Sequence, residues 1–80
     1  NRMDFSFAAF NASTQKIVLD LAELFKNSDL SYDGGGAAGC MSGTTDPECA
    51  GIFQALQIDL TNGLPINGGA AQKVFAVKAK

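Results

Sequence analysis

Apolar and polar residues alternate along several stretches of the chain and recur at helical spacing in two others. In residues 3–10, Met3, Phe5 and Phe7 fall on one side and Asp4 and Ser6 on the other, the period-two pattern of a half-buried strand. Residues 16–20 alternate again, with Ile17, Leu19 and the following Leu21 on one face. The β-branched pair Ile17-Val18 favours a strand there. The period then changes. Leu21, Leu24 and Phe25 stand at i, i+3 and i+4, which predicts a short helix over 21–26. Asp20 is placed to cap it, and Asn27-Ser28-Asp29 ends it. A second helix is predicted over 46–57, where Cys49, Ile52, Phe53 and Leu56 form one apolar stripe. Asp46 suits its N-cap, Pro47 its first position and Glu48 the positive end of its dipole. Residues 57–60 read as a short strand. Residues 72–79 read as a terminal one, with Phe75 and Val77 alternating imperfectly against Lys73 and Lys78. Polar turns separate these pieces at 11–15, 61–63 and 67–69.

Three or four strands and two short helices predict a mainly β chain. The expected architecture is a portion of an antiparallel β-sandwich with one or two short helices. The 80 residues then form a single partial domain, 1–80. A chain that opens inside a strand reads as part of a longer polypeptide.

Composition narrows the function classes. At 46% hydrophobic residues the chain can form a core, but one this small needs a staple, a metal or a partner. Its net charge is −2 and its six cations are dispersed, which gives no footprint for nucleic acid. Lys73, Lys78 and Lys80 near the C-terminus read as the solvated edge of a strand. The longest apolar run is too short to span a bilayer. The chain has neither His nor Trp. Without His, most transition-metal sites and every Ser-His or Cys-His arrangement fall away. The Ser and Thr residues have no base partner, so the chain is expected not to be an enzyme and offers no catalytic residue.

Both cysteines lie in Gly39–Cys49, GCMSGTTDPEC. Several uses are open to them. A Cys40–Cys49 disulfide would close a loop of about ten residues, the ordinary use in a small secreted domain. A metal site could recruit the soft thioether of Met41, although two cysteines with eight residues between them and no His cannot fill a tetrahedral site. A redox pair is the third use, because Cys49 near a helix start would have a favoured thiolate. Other candidates are weaker. Asp29 and Asp33 flank Tyr32 without the regular oxygen spacing of a calcium loop. The Gly-rich run 31–39 lacks the strand, helix and Lys-Ser/Thr pair of a phosphate cradle. Asn11-Ala12-Ser13 matches a glycosylation sequon, a short pattern frequent by chance.

Several blocks taken together carry a family resemblance. Val18-Leu19-Asp20-Leu21 with Leu24 is followed by Cys40-Met41-Ser42, by Asp46-Pro47-Glu48-Cys49 and by Ile52-Phe53. In that order, between NRMDFSFAAFN and KVFAVKA, they resemble the C-terminal portion of the metallo-mystery pair four-Cys motif family, the MbnP-like proteins. The resemblance covers nearly the whole chain. It implies a periplasmic or otherwise secreted β-sandwich protein encoded with a di-haem partner of the cytochrome c peroxidase/MauG type. It further implies copper binding in methanotroph relatives, where the di-haem partner oxidises a tryptophan to kynurenine. It also implies two disulfides from four cysteines, with Cys40 and Cys49 matching the second pair. The chain departs from the family in lacking the first two cysteines and every His and Trp. No metal ligand is therefore carried over, and no cofactor is expected within these residues. Copper would belong to the complete protein. The expected partners are a missing N-terminal half or another chain completing the sheet, and the di-haem protein. A metal-free extracellular structural or adhesive β module is the alternative.

Overall fold

A computed structural model describes residues 1–31 and 39–80. Its elements are β1 (Gln15–Leu19), α1 (Leu21–Leu24), α2 (Ala50–Ala55), a 3₁₀ turn (Asn67–Gly69) and β2 (Phe75–Ala79). The two strands pair antiparallel, with Gln15 opposite Ala79, Ile17 opposite Val77 and Leu19 opposite Phe75. Backbone bonds extend the ladder at both ends. Asp20 N–H donates to the Val74 carbonyl (2.7 Å), and Lys80 N–H to that of Thr14 (3.0 Å).

The change of period at Leu21 is realised. Asp20 Oδ1 accepts the Glu23 N–H at 3.2 Å and so satisfies one orphan donor of α1. The Lys26 ammonium lies 2.9 Å from Glu23 Oε2. The helix stops at Leu24, and Phe25 takes the C-cap.

The expected strand over 3–10 does not form. Residues 1–7 carry no regular structure. Arg2 N–H bonds to the Gly63 carbonyl (2.7 Å), so the segment is tied to a turn and not to a ladder. Its alternation still has a consequence. The Phe5 ring stacks on Phe75 at 4.9 Å and 9°, Phe7 lies 5.5 Å from Phe5, and Met3 packs against the core. The expected strand at 57–60 shrinks to a single antiparallel bridge, Ile58 to Pro65. The tight turn between them is held by Gly63 N–H to the Asp59 carbonyl (2.7 Å) and Asp59 N–H to the Leu64 carbonyl (2.8 Å). Among the described residues there is thus one two-stranded sheet, and no second layer of a sandwich is formed.

The core sits under α2. Cys49, Phe53 and Ile58 are buried together, with Met3, Cys40, Leu56 and Leu60 packed around them. Gly51 lets this helix approach the end of α1. A Cβ there would stand 2.5 Å from the Asn27 carbonyl oxygen and 2.8 Å from Ser28 Oγ.

Lys16 and Lys78 lie directly opposite each other in the sheet, and both are exposed. Facing like charges oppose pairing. Lys16→Glu is therefore expected to raise stability by roughly 0.2–1 kcal/mol relative to Lys16→Gln. The gain should shrink as salt screens the pair. Thermal midpoints of the two variants at low and high salt check this, and equal midpoints at low salt would refute it.

Candidate functional site

The loop closed by the cysteines is the segment richest in candidate chemistry. Cys40 and Cys49 form a disulfide, with S–S 2.02 Å and Cα–Cα 4.6 Å. Cys49 is fully buried, and Cys40 is partly so. Neither sulfur is a free thiol, so neither is available as a thiolate ligand or nucleophile in this state.

Asp46 does not hold the position expected of it. Glycine, threonine and proline let the chain curl, and the Asp46 carboxylate sits inside the curl. Its Oδ2 accepts the Met41 N–H (2.9 Å), and its Oδ1 accepts the Glu48 N–H (2.9 Å). Cys49 N–H donates to the Asp46 carbonyl (3.2 Å). Asp46, Pro47 and Glu48 thus form a turn ahead of the helix. Cys49 is the N-cap of α2, with no side-chain cap bond. The assignment of Asp46 and Pro47 as helix cap and first helical residue is corrected accordingly. The carboxylate reaches back across the disulfide loop to Met41, and the regular helix begins only at Ala50.

The two N–H bonds, that of Met41 first and that of Glu48 second, hold the Asp46 carboxyl below its ordinary value of 3.8. A carboxyl depressed in the folded state stabilises the fold above its unfolded pKa. That contribution fades as pH falls through the lower folded value. Stability should therefore decline on acidification from about pH 4 downward, and Asp46→Asn should flatten this part of the profile. Thermal midpoints of both proteins against pH check it. Parallel profiles would remove Asp46 as a contributor.

A cavity of about 460 Å³ opens beside the loop, between Phe25, Ser28 and Asp29 on one side and Pro47, Glu48 and Ile52 on the other. Asp29 is held below its ordinary value of 3.8 by the Ser31 hydroxyl and then by the Ser31 N–H. Ser31 Oγ donates to Asp29 Oδ1 at 2.6 Å and Ser31 N–H at 3.0 Å. Asp29 is thus bonded to its own turn. Its expected neighbour Asp33, with most of the Gly-rich run, lies outside the described residues.

The sequon Asn11-Ala12-Ser13 occupies an exposed turn. There Asn11 Oδ1 accepts the Ser13 N–H at 2.9 Å, a local bond that shapes the turn.

Copper, which the family resemblance implies for the complete protein, does not fit the described residues. Among the described residues no three His, Cys, Asp or Glu side chains gather as a metal-binding group. Both thiols are consumed in the disulfide. Met41, the one soft donor of the loop, is 63% exposed and stands without a second soft ligand.

No protein-family model matches the chain, and no curated protein matches it. Among solved structures, MbnP from Methylosinus trichosporium is similar to it, with 39% sequence identity and a TM-score of 0.74 over 88% of this chain. The chain is MbnP-like. It spans 27% of the length of that protein.

Sequence reasoning found the cysteines and the acidic loop residues of this MbnP-like chain. It missed the reach of Asp46 to Met41, because a residue bonded to a position five earlier leaves no periodic signal. It also missed that Gly51 and Gly69 are sites of close backbone approach. The run NGG signalled only a turn, and Gly51 lay inside a helical stripe.

Proposed function

We propose that this chain is the C-terminal scaffold part of an exported, non-enzymatic MbnP-like protein. In the complete protein its role is to support copper binding by ligands outside these 80 residues and to be paired with a di-haem protein of the MauG or peroxidase type. The observation that carries this reading is the 39% identity to MbnP over 88% of the chain. The Cys40–Cys49 bond supports export, because disulfides persist in oxidising compartments such as the periplasm. No described helix is long and apolar enough to cross a membrane.

The test uses the whole gene product that contains this segment. Purified from its native compartment and analysed for metals, it should carry copper and should retain the co-expressed di-haem protein on an affinity column. Copper-free protein after incubation with excess Cu(I) and Cu(II) would overturn the metal part and favour a metal-free structural module. Passage of the di-haem protein through the column would overturn the partner part.

A further inference from the structure

The two faces of the sheet are unlike. Paired residues share a face, so Ile17 and Leu19 lie with Val77 and Phe75, while Lys16 and Val18 lie with Lys78 and Ala76. The first face is apolar and the second ends in lysines. Phe5 covers Phe75 by stacking on it. Ile17 and Leu19 nevertheless remain 49% and 52% exposed, and Leu21, just past the strand, is 60% exposed. A contiguous apolar strip of this kind is unlike the scattered exposed apolar residues normal on a protein surface. A two-stranded ribbon is also marginal without a packed face.

We propose that the Ile17–Leu19–Val77–Phe75 face is the docking surface for the remainder of an MbnP-like polypeptide, which lays an apolar layer over it. The length of that protein supports this occupant. The chain spans 27% of MbnP, yet MbnP covers 88% of the chain. A closely similar arrangement is thus embedded in a much longer polypeptide. The opposite face pairs exposed Lys16 and Lys78 beside half-buried Val18 and Ala76, so the open apolar surface is on the side of Ile17 and Leu19. Val77 and Phe75, already partly buried, mark the inner border of the contact. Ile17 and Leu19 mark the part that the remainder covers. This inference rests on the MbnP-like reading above, but not on its copper or di-haem parts.

Side-chain footprinting by carbene insertion tests it on the complete gene product, native and urea-unfolded, without any substitution. Native Ile17 and Leu19 should be protected nearly as well as Val74, which is 1% exposed here. The proposal is overturned if they label at about half the unfolded level, as their exposure here dictates. It is also overturned if protection is lost on dilution as a sedimenting oligomer dissociates, since a second copy would then be the cover. Protection in a protein that takes up no copper supports this docking and sinks only the metal reading. Copper uptake with both side chains labelled sinks the docking and leaves the metal reading intact.

Discussion

Gly69→Ala is expected to destabilise the protein by at least about 2 kcal/mol and to detach its N-terminal segment from the 3₁₀ turn. Gly69 has φ +78°, a left-handed conformation that a Cβ disfavours by roughly 1–2 kcal/mol. It also lies against the Asp4 carbonyl, and a methyl group there would overlap that oxygen. The obstacle is backbone, so no side-chain rotation relieves it. Either the turn or the segment carrying Asp4 must move, and with it go the Phe5–Phe75 stack and the packing of Met3. Gly68 is the internal control. Its φ is +62°, yet nothing lies within 4 Å of the position its Cβ would take. Gly68→Ala therefore carries the conformational penalty alone. Urea unfolding of the two variants separates the effects, and Phe5 ring chemical shifts report whether the segment has left. A Gly69→Ala variant as stable as Gly68→Ala would refute the close approach.

What could be read from the sequence follows the range of the interactions involved. The passage from β1 into α1 was legible because its determinants are local: β-branched residues, a capping aspartate and a change of period within ten residues of one another. The terminal strand was legible in the same way. The stripe Cys49–Leu56 was also visible, though its start was placed four residues early because Asp46 satisfies the sequence rule for a cap while its carboxylate, bonded to the N–H groups of Met41 and Glu48, shapes a turn ahead of the regular helix. The strand expected at 3–10 failed for a different reason. Alternation specifies which side chains share a face, and Phe5 and Phe7 do pack together. A strand also needs a partner's backbone, and this segment bonds instead to the turn at Gly63, through Arg2 N–H. The apolar side of β1 was equally legible as alternation, but Ile17 and Leu19 stay about half exposed, because none of the described residues packs over them. The candidate site was legible as two cysteines. That they act as a clip followed from their sequence spacing and from the missing histidines more than from any sign of chemistry.

Breaking the Cys40–Cys49 bond is the second change expected to have a large effect, a loss of roughly 2–3 kcal/mol from the chain-entropy of a ten-residue loop. Reduction of the native protein should lower its thermal midpoint, while the Cys40→Ala/Cys49→Ala variant should melt at the same temperature with and without reductant. The bond joins the loop that follows Gly39 to Cys49, which is fully buried beside Phe53 and Ile58. Reduction therefore frees the loop, and the double-alanine variant in addition leaves a void where the Cys49 sulfur lay in the small core. The Asp46 carboxylate spans the same loop through Met41 N–H. The two clips constrain one closure, so their losses should not add. In the double-alanine background Asp46→Asn should have an effect measurably different from its effect in the disulfide-bonded protein. A reduced protein, verified by mass, that melts unchanged would show the loop to be held by the Asp46 contacts and core packing alone. Additive losses would show that the carboxylate and the disulfide hold separate structures.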